Sequence, residues 1–405
     1  METETETPVE QTKGAVPSAV WASTTYFGEG LSYSIVHQLA AQQYLTAAGV
    51  SPEIIGLASF LHAPWLFKFA WAPMVDGIGT TKRWMVGLAL VLAGCSVAMA
   101  AAAADAGWMA VVWVLVGTSF IAATSDIAID GYYIRSLDQK TQRTLSGVRI
   151  GAFRLAMLFG SGLLVTLAGK TSFSLAFLVA ALVFVLLALL HALVLRPDAR
   201  PRVGSDSVAD TARAAFRSFF ARPGIALSVC LILTYRAGDA LLFAMNAKFL
   251  ASLGLDTDAR GIVNGTLGTA ASIGGSLLGG LVIAKLGFKR AFVPITVLQA
   301  LALLLYAGLA IARPSLPVIA VAVILEQLIA GVGTAAFVVF LLRLCHGPQK
   351  ASHFALASSL MTFALMMSGA ASGFLYVAVG ASWFFVVAFV VALPGVVLSL
   401  LVDKS

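Results

Sequence analysis

The sequence predicts an all-α membrane protein of twelve transmembrane helices, arranged as two pseudo-symmetric six-helix bundles. Three observations carry that prediction. The chain of 405 residues is 60% hydrophobic and 11% charged, against about 25% charged residues in a soluble globular protein, and its mean hydropathy is +0.93. Polar and charged stretches cut it into twelve apolar runs, each long enough for the roughly 20 residues that a spanning helix needs. Finally, "TYFGEGLSYSI" near the start and "TYRAGDALLFAM" near the middle are similar segments that each place a single Gly-acid pair before an apolar run.

The spans are expected at 18–46, 52–75, 84–104, 107–137, 144–169 and 171–195, and then at 223–250, 259–285, 288–312, 315–345, 350–378 and 381–402. Residues 1–17 are acidic and polar and lack the basic region and apolar core of a signal peptide, so they read as a disordered cytosolic tail. Orientation follows from Lys and Arg in the short loops. One side collects Lys82, Arg83, Lys140, Arg143, the arginines from 196 to 222, Lys285, Lys289, Arg290 and Lys350. The other holds little beyond Lys170, Arg260 and Arg313. Both termini are therefore expected in the cytosol, and the formal charge of +7 is topogenic rather than a sign of a nucleic-acid partner. The polar stretch 196–222 is a linker, within which "DTARAAFRSFF" can form an amphipathic surface helix. It divides an N-terminal bundle, 18–195, from a C-terminal bundle, 223–402.

The two bundles look like diverged copies of one unit. Glu29 and Asp239 stand 210 positions apart, and Lys82-Arg83 and Lys289-Arg290, each after the second helix of its half, stand 207 apart. Internal repeats of this kind build many transporters, with the site near the midplane where the repeats meet. In the eighth span, "GTLGTAASIGGSLLGGLVIAKLG" repeats small residues at three- and four-residue spacing, which favours close helix approach. It lacks the Lys-Ser/Thr pair of a phosphate-binding loop. Cys95, Cys230 and Cys345 are isolated and have no metal-ligand spacing. Six of the tryptophans lie mostly near span ends, as an interfacial belt does.

Ionisable residues inside a bilayer are costly and are functional candidates by default. Glu29, Asp239, Arg236 and Glu326 fall near mid-depth, and His37 lies two turns from Glu29 on the same helix face. Tyr26, Tyr33 and Tyr235 accompany them as candidates for a cavity wall. A second group, nearer the cytosol, comprises Lys68, Asp126, Asp130, Arg149 and Arg154, which can form ion pairs that exchange as the protein opens. The proton-coupling candidates are thus Glu29, Asp126, Asp130, Glu326 and Asp239, and the substrate-cavity candidates are Tyr26, Tyr33, His37, Tyr235 and Arg236. Each also has a plainer reading. Glu29 can be a structural hydrogen-bonding group, Asp126 and Asp130 a salt-bridge network, and Arg236 and Asp239 a pair on one helix. Arg236 is the one base placed at mid-depth, which points away from a highly anionic substrate such as coenzyme A.

The loop "WAPMVDGIGTTKRW" resembles the Gly-x-x-x-Asp-Arg-x-Gly-Arg-Lys loop between helices two and three of major facilitator superfamily transporters. Asp76, Gly79, Lys82 and Arg83 fit that pattern, and Gly280, Gly287, Lys289 and Arg290 fit it again in the second half. "YFGEGLSYSI", "PWLFKFAWAPMVD" and "ATSDIAIDGYYIRSL" together resemble the AmpG-type branch, which also includes acetyl-coenzyme A transporters and is similar to siderophore permeases. With Lys68, Arg149 and Arg154 from the charged group nearer the cytosol, the loop residues Asp76, Lys82 and Arg83 make up a candidate cytosolic gate. The resemblance implies import of peptidoglycan fragments driven by protons.

The expected function is therefore secondary active transport by alternating access, with a polar or amphiphilic solute such as a muropeptide imported together with protons. A siderophore, an acetyl-coenzyme A-like anion or a drug is the alternative cargo. A non-transporting membrane sensor is the alternative of another class. The chain shows no constellation of a hydrolase or transferase, and no cofactor, metal or nucleic acid is expected. The expected setting is a bacterial inner membrane, with the protein as a monomer in the lipid bilayer.

Overall fold

The computed structural model describes residues 17–197, 216–345 and 350–402, apart from the side chains of Asp76, Ala106, Lys350, Ala351 and Val402. The first helix, α1 (18–47), is α-helical over Ser18–Ser34, widens into a π-helix over Ile35–Tyr44 and closes with Leu45–Ala47. The second, α2 (52–77), starts on Pro52 and is broken by 3-10 turns at Ala58–His62 and Lys68–Ala70. Pro64 and Pro73 cause much of that breakage, because a proline has no N–H to give to the preceding turn. Then follow α3 (Thr81–Asp105), α4 (Trp108–Ser136), α5 (Gln139–Lys170) and α6 (Phe173–Val194). After the linker come α7 (Ile225–Ser252), α8 (Thr257–Leu286), α9 (Phe288–Ala312) and α10 (Leu316–Leu344). Two last helices, α11 (350–379) and α12 (381–402), join at Gly380, whose φ of 74° and ψ of 163° turn the chain.

Among the described residues, nine helices are long and apolar enough to cross a membrane, with α11 and α12 taken there as one piece. The first two expected spans fall short for physical reasons. Buried Ser32, Ser34, His37, Gln38, Gln42 and Gln43 make α1 less apolar, and α2 is interrupted. The outward faces carry bare apolar side chains such as Leu193, Ile311, Trp113 and Leu277. Such a surface is matched by lipid rather than water.

Helix α1 packs on α5, and α3 packs on α4 and α6. Helix α8 packs on α10, while α7 and α9 pack on the 350–402 helices. These two sets of helices meet at the end that carries the 48–51 and 253–256 turns, and the contacts are made through glycine. Gly56 lies against the backbone of Gly373, and Gly369 against Ser59, where α2 crosses α11. Gly162 lies against Thr266, and Gly265 against the Ser161 carbonyl, where α5 crosses α8. Gly275 and Gly279 sit on α10 at Leu328 and Val332, so the small-residue stripe of α8 serves close approach on two sides.

Arg260 clamps the same end. It is buried, and its Nε donates to Gln43 Oε1 at 2.8 Å, with Nη1 donating to Leu255 O at 2.7 Å and Nη2 to Thr257 Oγ1 at 3.0 Å. Lys248 Nζ donates to Val50 O at 2.9 Å beside it. An Arg260→Ala substitution strands buried acceptors and is expected to destabilise the protein by about 2–3 kcal/mol, since bonds to a charged donor are the stronger kind. An unfolding titration in mixed micelles measures that loss.

At the other end, residues 216–220 are helical, Phe219 is buried, and Arg222 donates to Leu344 O and to His353 Nδ1. The linker's C-terminal end is thereby docked on α10 and α11. Residues 210–215 of the expected amphipathic helix, and the tail up to residue 16, lie outside the described residues.

Candidate functional site

A cavity of about 610 Å³ lies between the two helix sets, within the 300–1,000 Å³ range common for small-molecule sites. Helix α1 supplies Tyr26, Glu29, Tyr33 and His37 to its wall. Helix α5 adds Arg149 and Arg154, and α7 adds Arg236 and Asp239. The two acids picked out by the repeat therefore face one space. Gly30 lets α1 approach the Phe153 backbone of α5, and Gly238 lets α7 approach Ala388 of α12. These close approaches fix the depth of each acid.

Behind Glu29 lies a charged network. Tyr26 Oη donates to Asp130 Oδ1 at 2.8 Å, Arg149 Nη2 pairs with the same oxygen at 2.8 Å, and the Arg149 guanidinium stacks 4.4 Å over the Tyr26 ring. Lys68 forms an ion pair with Asp126. Glu29 is half-buried next to Asp126, Asp130 and Arg149, and its buried Oε2 has no hydrogen-bond partner. Three carboxylates thus share two cations, Lys68 and Arg149.

An aromatic wall continues from it. The His37 and His62 rings stack with centroids 3.8 Å apart, Tyr33 Oη and His62 Nε2 are 3.3 Å apart, and Trp65 packs 5.3 Å from His37. Such faces can stack on an apolar or sugar-like surface. Across the cavity Arg236 sits where α7 breaks into Ile225–Tyr235 and Ala237–Ser252, with a φ of −110°. Its Nε lies 3.5 Å from Asp239 Oδ2, which also accepts a bond from Gln299. Arg154 faces Arg236, within electrostatic reach of it and of Tyr33.

Several expected positions differ. Tyr235 is not on the cavity wall. Its ring stacks between Phe337, at 4.5 Å, and Phe292, at 5.7 Å, and its hydroxyl donates to Gly333 O at 3.0 Å. The helix break at Arg236 turns the neighbouring residue inward. A Tyr235→Phe variant is expected to transport normally and to lose about 1 kcal/mol of stability, the worth of one hydrogen bond. Solute exchange and a thermal melt on the same preparation test this. Glu326 is buried behind the wall, near Tyr306, and Asp126, Asp130 and Lys68 form the layer behind Glu29 rather than the surface. Arg154 lines the central cavity instead of a gate at the helix ends.

Lys82 and Arg83 lie in the first turn of α3, where Thr80 Oγ1 accepts from the Arg83 N–H at 3.3 Å. Neither forms an ion pair among the described residues. The Asp76 side chain lies outside what is described. The neutral amides Gln38, Gln42, Asn264 and Gln327 also line the cavity, and no charge in the sequence marks them. An amide buried in an apolar helix is itself a signal, because it must find a partner. Arg260 was not among the site candidates either, because its position in the sequence placed it in a loop on the side poor in basic residues.

Residues 22–275 match the family model described as Major Facilitator Superfamily. The chain is 30% identical over 390 residues to the anhydromuropeptide permease of Escherichia coli K12, covering 94% of this chain and 78% of that protein. It is 23% identical to a protein of Rickettsia felis named "Putative transporter AmpG 4", with 89% and 91% covered. Among solved structures, a mutant of the nucleoside transporter NupG superposes with a TM-score of 0.72 at 17% identity, covering 95% of this chain and 98% of that one. A D-xylose–proton symporter does so with 0.71 at 12% identity, covering 94% and 96%. The Tyr26–Glu29 helix, the cavity it faces and these likenesses together place the chain in the Major Facilitator Superfamily, as a multi-pass membrane transporter of the AmpG type and not an enzyme.

Proposed function

We propose that the chain imports a muropeptide-class solute together with protons by alternating access. It would do so across a bacterial inner membrane with both termini cytosolic, as a monomer that crosses the bilayer twelve times. Two six-helix bundles, 18–195 and 223–402, joined by the 196–222 linker, would open in turn to either side. The observation that carries this reading is the placement of Glu29 and Asp239, repeat-related acids, on opposite walls of one cavity. The unpartnered Glu29 oxygen supports a proton-carrying role, with Asp126 and Asp130 as its relay and Lys68 and Arg149 as their counter-ions. Asp239 and Glu326 are the corresponding candidates in the second half. Tyr26, Tyr33, His37 and Arg236 are the substrate contacts, and their aromatic wall suits a sugar–peptide compound. Closure of the glycine-lined crossings and the Arg260 clamp leaves the cavity to open toward the side of the linker, where Lys82, Arg83 and Asp76 would gate it. The relative named an anhydromuropeptide permease supports the cargo.

A second reading, an anionic cargo such as a siderophore or an acetyl-coenzyme A-like compound, is favoured by Arg154 and Arg236. The deciding experiment is uptake into proteoliposomes with an imposed pH gradient, using labelled anhydro-muropeptide, ferric siderophore and acetyl-coenzyme A in parallel. Muropeptide accumulation that collapses when the gradient is dissipated is the expected result. Accumulation of another solute in its place overturns the cargo, and accumulation that ignores the gradient overturns the coupling.

A further inference from the structure

Five charged side chains line the central cavity: Glu29, Asp239, Arg149, Arg154 and Arg236. Four of them are accounted for by neighbours in the protein. Arg149 pairs with Asp130, Arg236 lies 3.5 Å from Asp239, and Glu29 sits in the network of Asp126, Asp130 and Arg149. Arg154 stands apart. It is half-buried on α5, and among the described residues its side chain has neither a carboxylate partner nor a hydrogen bond. A guanidinium inside the bilayer without a counter-ion is costly.

Its surroundings add to that cost. The charged neighbour acting on Arg154 is Arg236, a like charge from the other helix set. Arg236 is itself only partly satisfied, because its Nε is buried without a hydrogen bond and the carboxylate it leans toward is shared with Gln299. It also stands at the head of the Ala237–Ser252 helix. Free N–H groups at the start of such a half-helix favour negative charge. Two planar forks of donors thus line one cavity from its two sides, Arg154 with no carboxylate partner among the described residues and Arg236 with only a long approach to Asp239.

We propose that Arg154 and Arg236 jointly hold a free carboxylate of the transported solute. The cargo of this site is then a monoanionic or polyanionic carboxylate compound rather than a neutral sugar or amine. Guanidinium–carboxylate bonding is charge-assisted and two-pronged, and one carboxylate has enough lone pairs to accept from both arginines. Bound there, the anion removes the repulsion between α5 and α7. It thereby favours the arrangement in which the cavity is closed around it, which is the differential affinity that a conformational cycle requires. This assignment uses the transport reading given above but does not depend on the cargo being a muropeptide.

The test is a competition binding assay on the purified full-length protein in detergent. The probes are anhydro-muropeptide, the same compound with every carboxylate amidated, and a panel of short N-acetylated peptides as free acids and as amides. The expected result is that acids bind at least about tenfold more tightly than their amides, the scale of one charge-assisted bond. Arg154→Gln is expected to weaken binding of the acids about tenfold more than binding of their amides, so that the preference is lost, and Arg154→Lys to restore part of it. Arg236→Lys serves as the second variant, and each variant is first checked by a ligand-free thermal melt. If the peptides show the acid preference and the muropeptide does not bind, the cargo is wrong and the carboxylate site stands. A wild-type protein that binds no member of either panel more tightly as acid than as amide overturns the proposal. So does an Arg154→Gln protein that keeps the full preference.

Discussion

A Glu29→Gln protein is expected to bind solute and exchange it across the membrane, yet fail to accumulate it. The reason is charge balance around α1. Glu29, Asp126 and Asp130 are gathered next to two cations, Lys68 and Arg149. In a low-dielectric interior, the excess negative charge is neutralised most cheaply by a proton. Gln keeps the shape and the hydrogen-bonding capacity and removes the titration. With one proton coupled to one solute and an imposed gradient of one pH unit, about 1.4 kcal/mol is available per cycle, which is about a tenfold accumulation. In Glu29→Gln that ratio should fall to about one, with counterflow of labelled against unlabelled solute preserved. Measuring both in the same vesicles decides the role. Loss of binding in parallel with accumulation makes Glu29 a ligand for the solute, and retained accumulation removes it from the coupling path.

Replacing Gly265 by Leu should shift the protein toward the state open at the opposite end. A Cβ at Gly265 lands on the Ser161 carbonyl of α5, and one at Gly373 lands on the Pro52 carbonyl of α2. Neither backbone can give way without separating the crossing. Overpacking of this kind costs about 1–3 kcal/mol, enough to move a two-state equilibrium about 5- to 150-fold. Spin labels at Ala48→Cys and Ala378→Cys, both exposed at that end, report the change as a longer inter-label distance with Gly265→Leu. Gly280→Ala is the matched control, since a Cβ there meets open space. An unchanged distance distribution in Gly265→Leu, with the protein folded, removes the crossing from the conformational cycle.

Much of this arrangement was legible in the sequence, for a physical reason. A bilayer penalises charge so heavily that Glu29, Asp239, Tyr26, Tyr33, His37 and Arg236 stood out from their apolar surroundings, and all six line the cavity. The long helices were legible by the same contrast. What hid was whatever depends on which helix lies beside which. Tyr235 and Arg236 are adjacent in sequence, yet one is core and the other cavity, because the break in α7 separates their directions. Arg154 read as a gate residue because depth along a helix was counted without knowing what stood across from it. Arg260 read as a loop charge because its partner Gln43 lies 217 positions away. The irregular course of α2 was announced by Pro64 and Pro73, but two prolines in an apolar run do not say where the 3-10 turns fall.

The π-helical stretches bear on how such a molecule moves. They occupy Ile35–Tyr44 in α1, Leu158–Leu164 in α5 and Gly261–Gly268 in α8, with a fourth closing α3 at Ala102–Ala106, and α5 and α8 are one of the two pairs that cross through glycine. A π-turn carries one residue more than the α-turn it replaces. Its relaxation to α geometry slips the helix register by one place and swings every side chain beyond it by about 100° around the axis. Helices α1, α5 and α8 are therefore jointed rods, each with a place where rotation can be taken up without breaking the rod. Relaxation at such a joint adds torsion to any tilt of the helix. Gln38 and Gln42 can leave the cavity wall by a screw of α1 that the rest of the bundle does not share.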